Sequence, residues 1–363
     1  MRAAILEAAN APLAVVDDVE LEGPRSGEVQ VRLEHCGVCH SDLHFVDGKL
    51  PGVVPTILGH EAGGIVEEVG AGVVELAPGD KVILTLRPPC GRCYWCVRGE
   101  LTLCQTAAAL AGGAFADGST RLSQGGRTVY RGIALAAFAE RTVVPVNAAV
   151  KVPDDTPLDI ASIIGCAVQT GVGAVVNTAK VEEGATVLIV GLGGIGISIA
   201  QGARLAGASR VIGVDPLETR REQAKAFGVT DTAAPDELAA IAADITGGIG
   251  VDYAFDAVGR AGIVESCLAA IRNGGMTVMV GVPGIEEVVQ VPAIMMALTE
   301  RKLRGCFLGS SNPHRDFPRL LALWRAGRLD LEGMVTARRP LDEINEAFSD
   351  MQAGKGLRTV LTL

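Results

Sequence analysis

The sequence predicts an α/β chain in which a small β-rich part precedes a doubly wound parallel sheet. Polar and apolar residues alternate over residues 29–33 and 64–70, a pattern typical of half-buried strands. Residues 185–190 form a continuous apolar run, the kind of strand that is buried on both faces of a parallel sheet. Strand and helix patterns alternate after that run, which indicates βαβ units. We therefore expect two structural units of different architecture.

The length, composition and net charge exclude several classes of protein. The chain has 363 residues, a net charge of −10 and 48% apolar residues, so about two globular domains are expected. An acidic surface without a visible cluster of basic residues repels phosphate backbones, so nucleic acid is not an expected partner. The N-terminus lacks an apolar core of signal-peptide length, and glycines interrupt the most apolar span, residues 185–203. We expect a cytoplasmic protein with no membrane partner.

Cys39 and His60 are the first candidate metal ligands, because a thiolate and an imidazole suit Zn²⁺. Cys166 is a candidate third ligand. Three protein ligands of this kind leave the fourth tetrahedral position open for water or substrate, which is the arrangement of a catalytic zinc. Residues 36–40 also match the Cys-x-x-Cys-His pattern of haem attachment. Haem attachment accompanies export, and no signal peptide precedes this motif, so zinc is favoured.

Four closely spaced cysteines predict a second metal site. Cys90, Cys93, Cys96 and Cys104 have the spacing Cys-x2-Cys-x2-Cys-x7-Cys, which can close a tetrahedron around one Zn²⁺ without an open position. An iron–sulfur cluster is the alternative, although no proline follows the last cysteine. Disulfides are disfavoured in a cytoplasmic chain. We expect a structural zinc here.

A Gly-x-Gly-x-x-Gly motif follows the strand at residues 185–190 and opens a helix pattern. Gly191 allows the tight turn, Gly193 lets backbone N–H groups approach a pyrophosphate, and Gly196 lets the helix pack on the strand. The positive end of the helix adds to anion binding. The motif in this context indicates a dinucleotide site.

An acidic residue completes that fingerprint. Asp215 ends a second strand pattern, residues 210–214, about 20 residues beyond the motif. Its carboxylate can accept hydrogen bonds from the adenosine ribose 2′-hydroxyl and would repel a 2′-phosphate, so NAD is favoured over NADP. Arg220 and Arg221 leave the alternative open, since an arginine can hold that phosphate.

The motifs around Cys39, His60 and Cys166, in this order over nearly the whole chain, resemble the zinc-dependent alcohol dehydrogenases of the medium-chain dehydrogenase/reductase superfamily. The resemblance implies a GroES-like catalytic domain over residues 1–167, including a structural zinc lobe. It implies a Rossmann NAD-binding domain over residues 168–305, and a return to the catalytic domain over residues 306–363. The implied reaction is hydride transfer between an alcohol and NAD, with two zinc ions per chain.

The resemblance also assigns roles near the catalytic zinc. A bound alcohol must lose its hydroxyl proton before hydride leaves, and Ser41 and His44 match a relay that carries this proton to solvent. Asp42 matches the carboxylate that orients His60. Glu61 is either a carboxylate that exchanges onto zinc or a buried ion-pair partner, and the sequence does not separate these two readings.

Further residues match the family's cofactor contacts. Thr170 and Ile195 match positions that press the nicotinamide towards zinc, and Arg220 is expected near the adenosine ribose. His40 and Arg358 match basic residues at the pyrophosphate; without the family, Arg358 would be read as a solvent-facing strand residue. The full set of expected cofactor contacts comprises His40, Thr170, Gly191, Gly193, Gly194, Ile195, Gly196, Asp215, Arg220, Val280, Leu308 and Arg358.

The substrate and the assembly are the least determined features. Leu50 and Leu86 match positions that line the family's alcohol channel, and Leu86 stands where relatives often have an aromatic residue, which predicts a roomy apolar cleft. Residues 105–135 are small and polar and are predicted to form a long loop, functional or mobile; by analogy this segment favours a homodimer. Two alternative functions remain: a dehydrogenase of S-hydroxymethyl-thiol (formaldehyde-type) adducts, and a non-catalytic NAD-binding redox sensor.

Overall fold

The structure is a computed structural model that describes residues 1–363 and divides into two compact units. Unit 1 comprises Met1–Cys166, Asn312–Arg325 and Leu331–Leu363, and unit 2 comprises Ala167–Ser311 and Ala326–Asp330. The second boundary lies after Ser311, not after residue 305 as the sequence predicted. The reason is local packing, because the hydroxyl oxygens of Ser310 and Thr178 lie 2.9 Å apart within unit 2.

Both units are built from short elements. The strands are β1 (Ala3–Leu6), β2 (Ala14–Val16), β3 (Val19–Leu21), β4 (Glu28–Gly37), β5 (Thr56–Ile57), β6 (Glu61–Val69), β7 (Lys81–Leu84), β8 (Leu122–Gln124), β9 (Arg127–Thr128), β10 (Tyr130–Arg131), β11 (Arg141–Pro145), β12 (Ala149–Lys151), β13 (Thr186–Val190), β14 (Arg210–Val214), β15 (Asp231–Ala233), β16 (Val251–Asp256), β17 (Ile271–Met279), β18 (Lys302–Gly305), β19 (Val335–Pro340) and β20 (Arg358–Thr362).

The helices are α1 (His40–Val46), α2 (Tyr94–Val97), α3 (Gln105–Leu110), α4 (Leu158–Ala161), α5 (Ala167–Gly173), α6 (Gly194–Leu205), α7 (Glu218–Lys225), α8 (Leu238–Thr246), α9 (Ala261–Ala270), α10 (Ala293–Thr299), α11 (Pro313–Arg325) and α12 (Ile344–Gln352). A π-helical segment, Ala174–Ala179, continues α5. No single helix is both long and apolar enough to cross a bilayer; one bent pair, Leu158–Gly165 with Ala167–Ala179, meets those two criteria jointly.

Unit 1 is β-rich, as predicted. Its largest sheet has the order β12-β7-β6-β4-β20-β19, with β11 also paired to β4. The alternating segments at residues 29–33 and 64–70 lie in β4 and β6, which pair antiparallel. Pro340 ends β19, and a 3₁₀ turn, Leu341–Glu343, leads into α12.

Residues 105–135 are not the irregular loop that the sequence predicted. They contain α3 and strands β8, β9 and β10. The Arg121 guanidinium donates to both carboxylate oxygens of Glu28, at 2.6 and 3.1 Å, and both Arg121 and Arg131 approach the Phe115 ring, at 4.5 and 4.0 Å from its centroid. A buried charge is costly unless it is paired. These contacts therefore fix the segment to β4. No local sequence pattern indicates the pairing of Arg121 with Glu28, because the two partners are far apart along the chain.

Unit 2 carries a six-stranded sheet with the order β15-β14-β13-β16-β17-β18. All five strand pairs are parallel. Counted from β13 as the first strand, this is the order 3-2-1-4-5-6 of the doubly wound dinucleotide fold. In such sheets a ligand binds outside the carboxyl ends of the strands, where the strand order reverses. In unit 2 that point lies at the end of β13, next to the glycine motif.

Candidate active site and metal centres

Cys39, His60, Glu61 and Cys166 bring four possible ligand atoms together in unit 1. These atoms all lie within 4.8 Å of one another, and all four residues are buried. Two thiols, an imidazole and a carboxylate form a donor set that suits zinc, so the residues fit the ion that the sequence predicts. The Cys166 thiol donates a hydrogen bond to Cys39, which lowers the pKa of Cys39 well below its usual value and raises that of Cys166.

Strand pairing explains why two distant motifs meet. Gly37 at the end of β4 lies opposite Glu61 at the start of β6. Because the pair is antiparallel, the chain leaving β4 towards Cys39 and the chain entering β6 from His60 share one end of the sheet. Gly59 makes the entry possible with φ +91°, a conformation that favours glycine.

Asp42 lies beside His60, as the resemblance implied. Its carboxylate oxygens are 3.0 and 3.1 Å from His60 Nδ1, and one of them accepts the Gly59 N–H at 2.8 Å. Burial by itself lowers the pKa of His60, but the Asp42 carboxylate and the Cys39 thiolate raise it well above its usual value. Because Nδ1 is engaged by Asp42, His60 has Nε2 left for a metal ion.

Glu61 is both near the ligand atoms and part of a buried ion pair. Arg358 on β20 places Nη2 3.0 Å from Glu61 Oε1 and donates through Nη1 to the Val38 carbonyl at 3.1 Å. The second oxygen, Glu61 Oε2, is buried and has no hydrogen-bond partner. Burial raises the pKa of Glu61 to about 8, although Arg358 opposes this shift. Glu61 can therefore be both the ion-pair partner of Arg358 and a carboxylate close to the candidate metal ligands.

Arg358 is not the solvent-facing strand residue that a reading without the family would give. Its side chain is 5% exposed, and Glu61, its partner, is 297 residues away along the chain. Sequence reasoning missed this pair, since no local pattern connects β20 with β6. The expected contact of Arg358 with a pyrophosphate stays a prediction.

The two relay candidates lie on α1. Ser41 and His44 are both half-buried, and His44 Nδ1 is a buried atom without a hydrogen-bond partner. Burial lowers the pKa of His44, so its neutral form, which can accept a proton, predominates near neutrality. His40, at the start of α1, is exposed.

The four cysteines of the second motif also converge. The sulfur atoms of Cys90 and Cys96 are 4.0 Å apart and those of Cys93 and Cys104 are 3.9 Å apart. A tetrahedron with zinc–sulfur bonds of about 2.3 Å has edges of about 3.8 Å, so the four thiols fit a closed zinc site. They are too far apart for disulfides, and every cysteine in the chain is free. The Arg92 backbone N–H lowers the pKa of Cys90 to about 6.

Cys36 is separate from both clusters. It is fully buried in β4, and its sulfur lies 3.6 Å from the Gly37 carbonyl oxygen. A thioether link to haem needs an accessible cysteine at this position, so the Cys-x-x-Cys-His match has no haem-binding geometry here. Cys39 of the same motif instead joins the buried ligand cluster.

In unit 2 the glycine motif has the form that a dinucleotide needs. Gly191 has φ +92°, and a Cβ at Gly196 would overlap the Gly191 carbonyl oxygen. A Cβ at Gly193 would meet no atom within 4 Å, so open space lies in front of the loop. Gly193 caps α6, whose first-turn N–H groups are free of intrahelical partners. The loop therefore fits a pyrophosphate.

Asp215 follows β14 and is nearly buried. Its two carboxylate oxygens accept the backbone N–H groups of Leu192 and Leu217, each at 2.9 Å, which fixes the carboxylate beside the glycine motif. Arg220 Nη1 is 3.8 Å from the carboxylate, whereas Arg221 donates to the Asp215 carbonyl at 2.6 Å. Each oxygen keeps a lone pair for a ribose hydroxyl.

The remaining predicted cofactor contacts are distributed around unit 2. Thr170 on α5 is buried, and its hydroxyl has no hydrogen-bond partner. Ile195 lies in the first turn of α6, Val280 directly follows β17, and Leu308 begins a 3₁₀ turn with φ +47°. Their contacts with a nicotinamide remain predictions.

Two family models match the chain. The alcohol dehydrogenase GroES-like domain matches residues 25–154, and the zinc-binding dehydrogenase domain matches residues 194–325. The NDMA-dependent alcohol dehydrogenase of Amycolatopsis methanolica is 39% identical over 364 residues, which cover 99% of this chain and 98% of that protein. These matches bear out the GroES-like fold that the resemblance implied for the β-rich part.

Similar solved structures support the same family. Benzyl alcohol dehydrogenase from Acinetobacter calcoaceticus has a TM-score of 0.94 and 30% identity, with coverage of 100% of this chain and 99% of that one. A Sinorhizobium meliloti 1021 protein, described as a zinc-binding dehydrogenase and solved bound to NADP, has a TM-score of 0.80 and 28% identity over 100% and 99% of the chains. The chain is an alcohol dehydrogenase, and it belongs to the zinc-dependent family of the medium-chain dehydrogenase/reductase superfamily.

Proposed function

We propose that this enzyme interconverts an alcohol and its aldehyde or ketone with NAD, using a catalytic zinc held by Cys39, His60 and Cys166. The observation that carries the proposal is the buried convergence of these residues, with ligand atoms within 4.8 Å of one another. When bound, zinc would polarise the alcohol oxygen as a Lewis acid and NAD would accept the hydride. A second zinc, held by the four lobe cysteines, would be structural.

The chain's own groups supply the rest of the chemistry. The Cys39 and Cys166 thiolates would offset the charge of the cation, and Asp42 would hold His60 with Nε2 directed to it. Ser41 Oγ would accept the alcohol proton and pass it to His44, whose half-buried ring reaches solvent. The lowered pKa of His44 supports this role, since the neutral ring accepts a proton.

The preference for NAD rests on Asp215. A carboxylate fixed by two backbone N–H groups cannot move away from a 2′-phosphate, so NADP would meet its negative charge. We predict that Asp215→Asn lowers the ratio of kcat/KM for NAD to that for NADP at least about tenfold. Asp244→Asn, on the exposed side of α8, is the control and should keep the wild-type ratio. A wild-type ratio in Asp215→Asn would contradict the assignment.

We infer an apolar substrate that is larger than ethanol. Leu86 is buried and Leu50 is half-buried, and neither adds a polar group to the predicted channel. The similarity to a benzyl alcohol dehydrogenase supports the same class. Aliphatic, aromatic and polycyclic alcohols should be compared by kcat/KM with NAD, with and without NDMA, because one relative is NDMA-dependent. We expect the aromatic alcohols to exceed ethanol at least about tenfold; a strict preference for ethanol would contradict this substrate class.

The two alternative functions are tested in the same preparation. A formaldehyde-type dehydrogenase would oxidise an S-hydroxymethyl-thiol adduct and not plain alcohols. A redox sensor with structural zinc alone would contain one zinc per chain, whereas the catalytic proposal requires two. Elemental analysis of the purified protein separates the sensor from the catalytic proposal before any substrate is known, and the adduct assay separates the two dehydrogenases.

We also infer a homodimer formed through unit 2. Strand β18 pairs only with β17, so its other edge is open. Apolar side chains are exposed nearby in sequence, including Ile285 (77%), Ile294 (68%) and Leu298 (75%). An open edge can pair with its own copy across a two-fold axis, which would also cover α10, a helix without buried residues. Sedimentation equilibrium should give twice the chain mass; a monomer at ~10 μM would contradict the dimer.

A cytoplasmic location is the remaining proposal. All nine cysteines are free, which suits a reducing compartment. Cell fractionation of the source organism should place the activity in the soluble cytoplasmic fraction, and activity confined to an exported fraction would contradict this proposal.

A further inference from the structure

Gly37 lies directly against the Glu61 carboxylate. The two residues are register partners in the β4–β6 pair, and Gly37 is buried. A Cβ built at Gly37 would overlap Glu61 Oε2 and would lie 3.1 Å from Glu61 Cβ and 3.3 Å from Glu61 Cδ. Its three nearest neighbours thus all belong to one side chain. Because position 37 has no side chain, the Glu61 carboxylate can occupy the space where a Cβ would otherwise lie.

The backbone does not require glycine here. Gly37 is outside the set of residues with positive φ, so an alanine would meet no conformational strain of its own. Gly64 on β6 differs, because a Cβ there would overlap the Arg32 carbonyl oxygen, which belongs to the backbone. A substitution at Gly37 therefore acts first on Glu61, whose carboxylate is the movable group.

The carboxylate is restrained on its other side by Arg358. Glu61 Oε1 is held at 3.0 Å by Arg358 Nη2, while Oε2 faces Gly37 without any hydrogen-bond partner. A buried carboxylate oxygen without a partner is costly, so the fold keeps it in this place for a reason other than stability. Glu61 also supplies a ligand atom within 4.8 Å of those of Cys39, His60 and Cys166.

We propose that Gly37 is a positioning residue that determines where the Glu61 carboxylate stands relative to the metal ligands. The inference rests on the proposed zinc site and deepens it. A methyl group at position 37 must displace Oε2, either breaking the Arg358 contact or changing the distance between the carboxylate and the ion. In both cases the coordination of the bound ion changes while Cys39, His60 and Cys166 remain in place.

Gly37→Ala in the cobalt-substituted enzyme tests this proposal. Co²⁺ reports its coordination through its visible absorption, so we expect altered band positions or intensities together with a kcat lowered at least about tenfold in the zinc enzyme. Gly63→Ala is the matched control, because it adds a methyl group to the same sheet, in β6, but meets only the Leu158 side chain, at 3.2 Å. It should keep the wild-type spectrum and kcat.

A second set of variants, made without the Glu61 side chain, distinguishes a direct effect on Glu61 from a general loss of structure. In Glu61→Gly the whole side chain that a methyl group at position 37 would meet is absent, so adding Gly37→Ala should leave the cobalt spectrum of Glu61→Gly unchanged. If Gly37→Ala alone is insoluble, the same Glu61→Gly background should restore soluble protein. A wild-type spectrum in Gly37→Ala, or an effect that persists without Glu61, would overturn the proposal. Failure of the wild-type cluster to bind Co²⁺ would instead refute the proposed zinc site.

Discussion

Cys39→Ala is expected to lower kcat for alcohol oxidation by about a thousandfold or more, while the affinity for NAD stays within about twofold. Cys39 contributes a sulfur atom to the buried cluster with His60, Glu61 and Cys166. Without it, the site loses one of its two thiolates and its metal affinity falls. The glycine motif belongs to unit 2 and does not depend on that sulfur.

Three measurements check this expectation. Initial rates give kcat, a fluorescence titration with NADH gives the cofactor affinity, and elemental analysis should find one zinc per chain, retained at the four-cysteine site. Cys36→Ala is the matched control, since Cys36 is a buried cysteine three positions earlier that lies outside the cluster. It should lose stability as a cavity mutation does, about 1–2 kcal/mol, and keep its zinc. Turnover retained in Cys39→Ala would refute the catalytic assignment.

Cys104→Ala is expected to remove the other zinc and to loosen the segment around residues 90–110. Cys104 is fully buried, and its sulfur lies 3.9 Å from that of Cys93 and accepts the Cys90 N–H at 3.3 Å. The cysteine cluster packs mainly on its own members, with Ala107 and Leu101 beside them, so a bound metal ion would contribute much of its stability. Structural zinc contributes roughly 10 kcal/mol or more to the folding of small isolated sites.

Limited proteolysis measures this loosening. Cleavage within residues 90–110 should become at least about tenfold faster, and zinc should fall from two ions to one per chain. Leu103→Ala is the control in the same lobe, because Leu103 is 44% exposed and carries no ligand atom. It should keep both ions and the wild-type cleavage rate. Unchanged zinc content in Cys104→Ala would show that the four cysteines do not share a structural ion.

The sequence by itself determined the features that depend only on short stretches of chain. The apolar run of β13, the glycine motif and Asp215 lie within about thirty residues, which is one βαβ unit. The four lobe cysteines lie within a similarly short stretch, so their spacing was enough to predict convergence. The doubly wound parallel sheet was predicted as well, since strand and helix patterns alternate after the apolar run.

Only the tertiary structure decided the contacts between distant strands. Glu28 and Arg121 are 93 residues apart, and their buried pair turns a segment that reads as a loop into a fixed part of unit 1. Glu61 meets Arg358 across 297 residues, and Gly37 meets the same carboxylate through the register of β4 on β6. Periodicity shows which face of a strand is buried, but pairing register depends on the whole sheet. The candidate ligands were indicated by the family resemblance of their motifs, whereas the groups that hold Glu61 in place depend on this register and were not predictable.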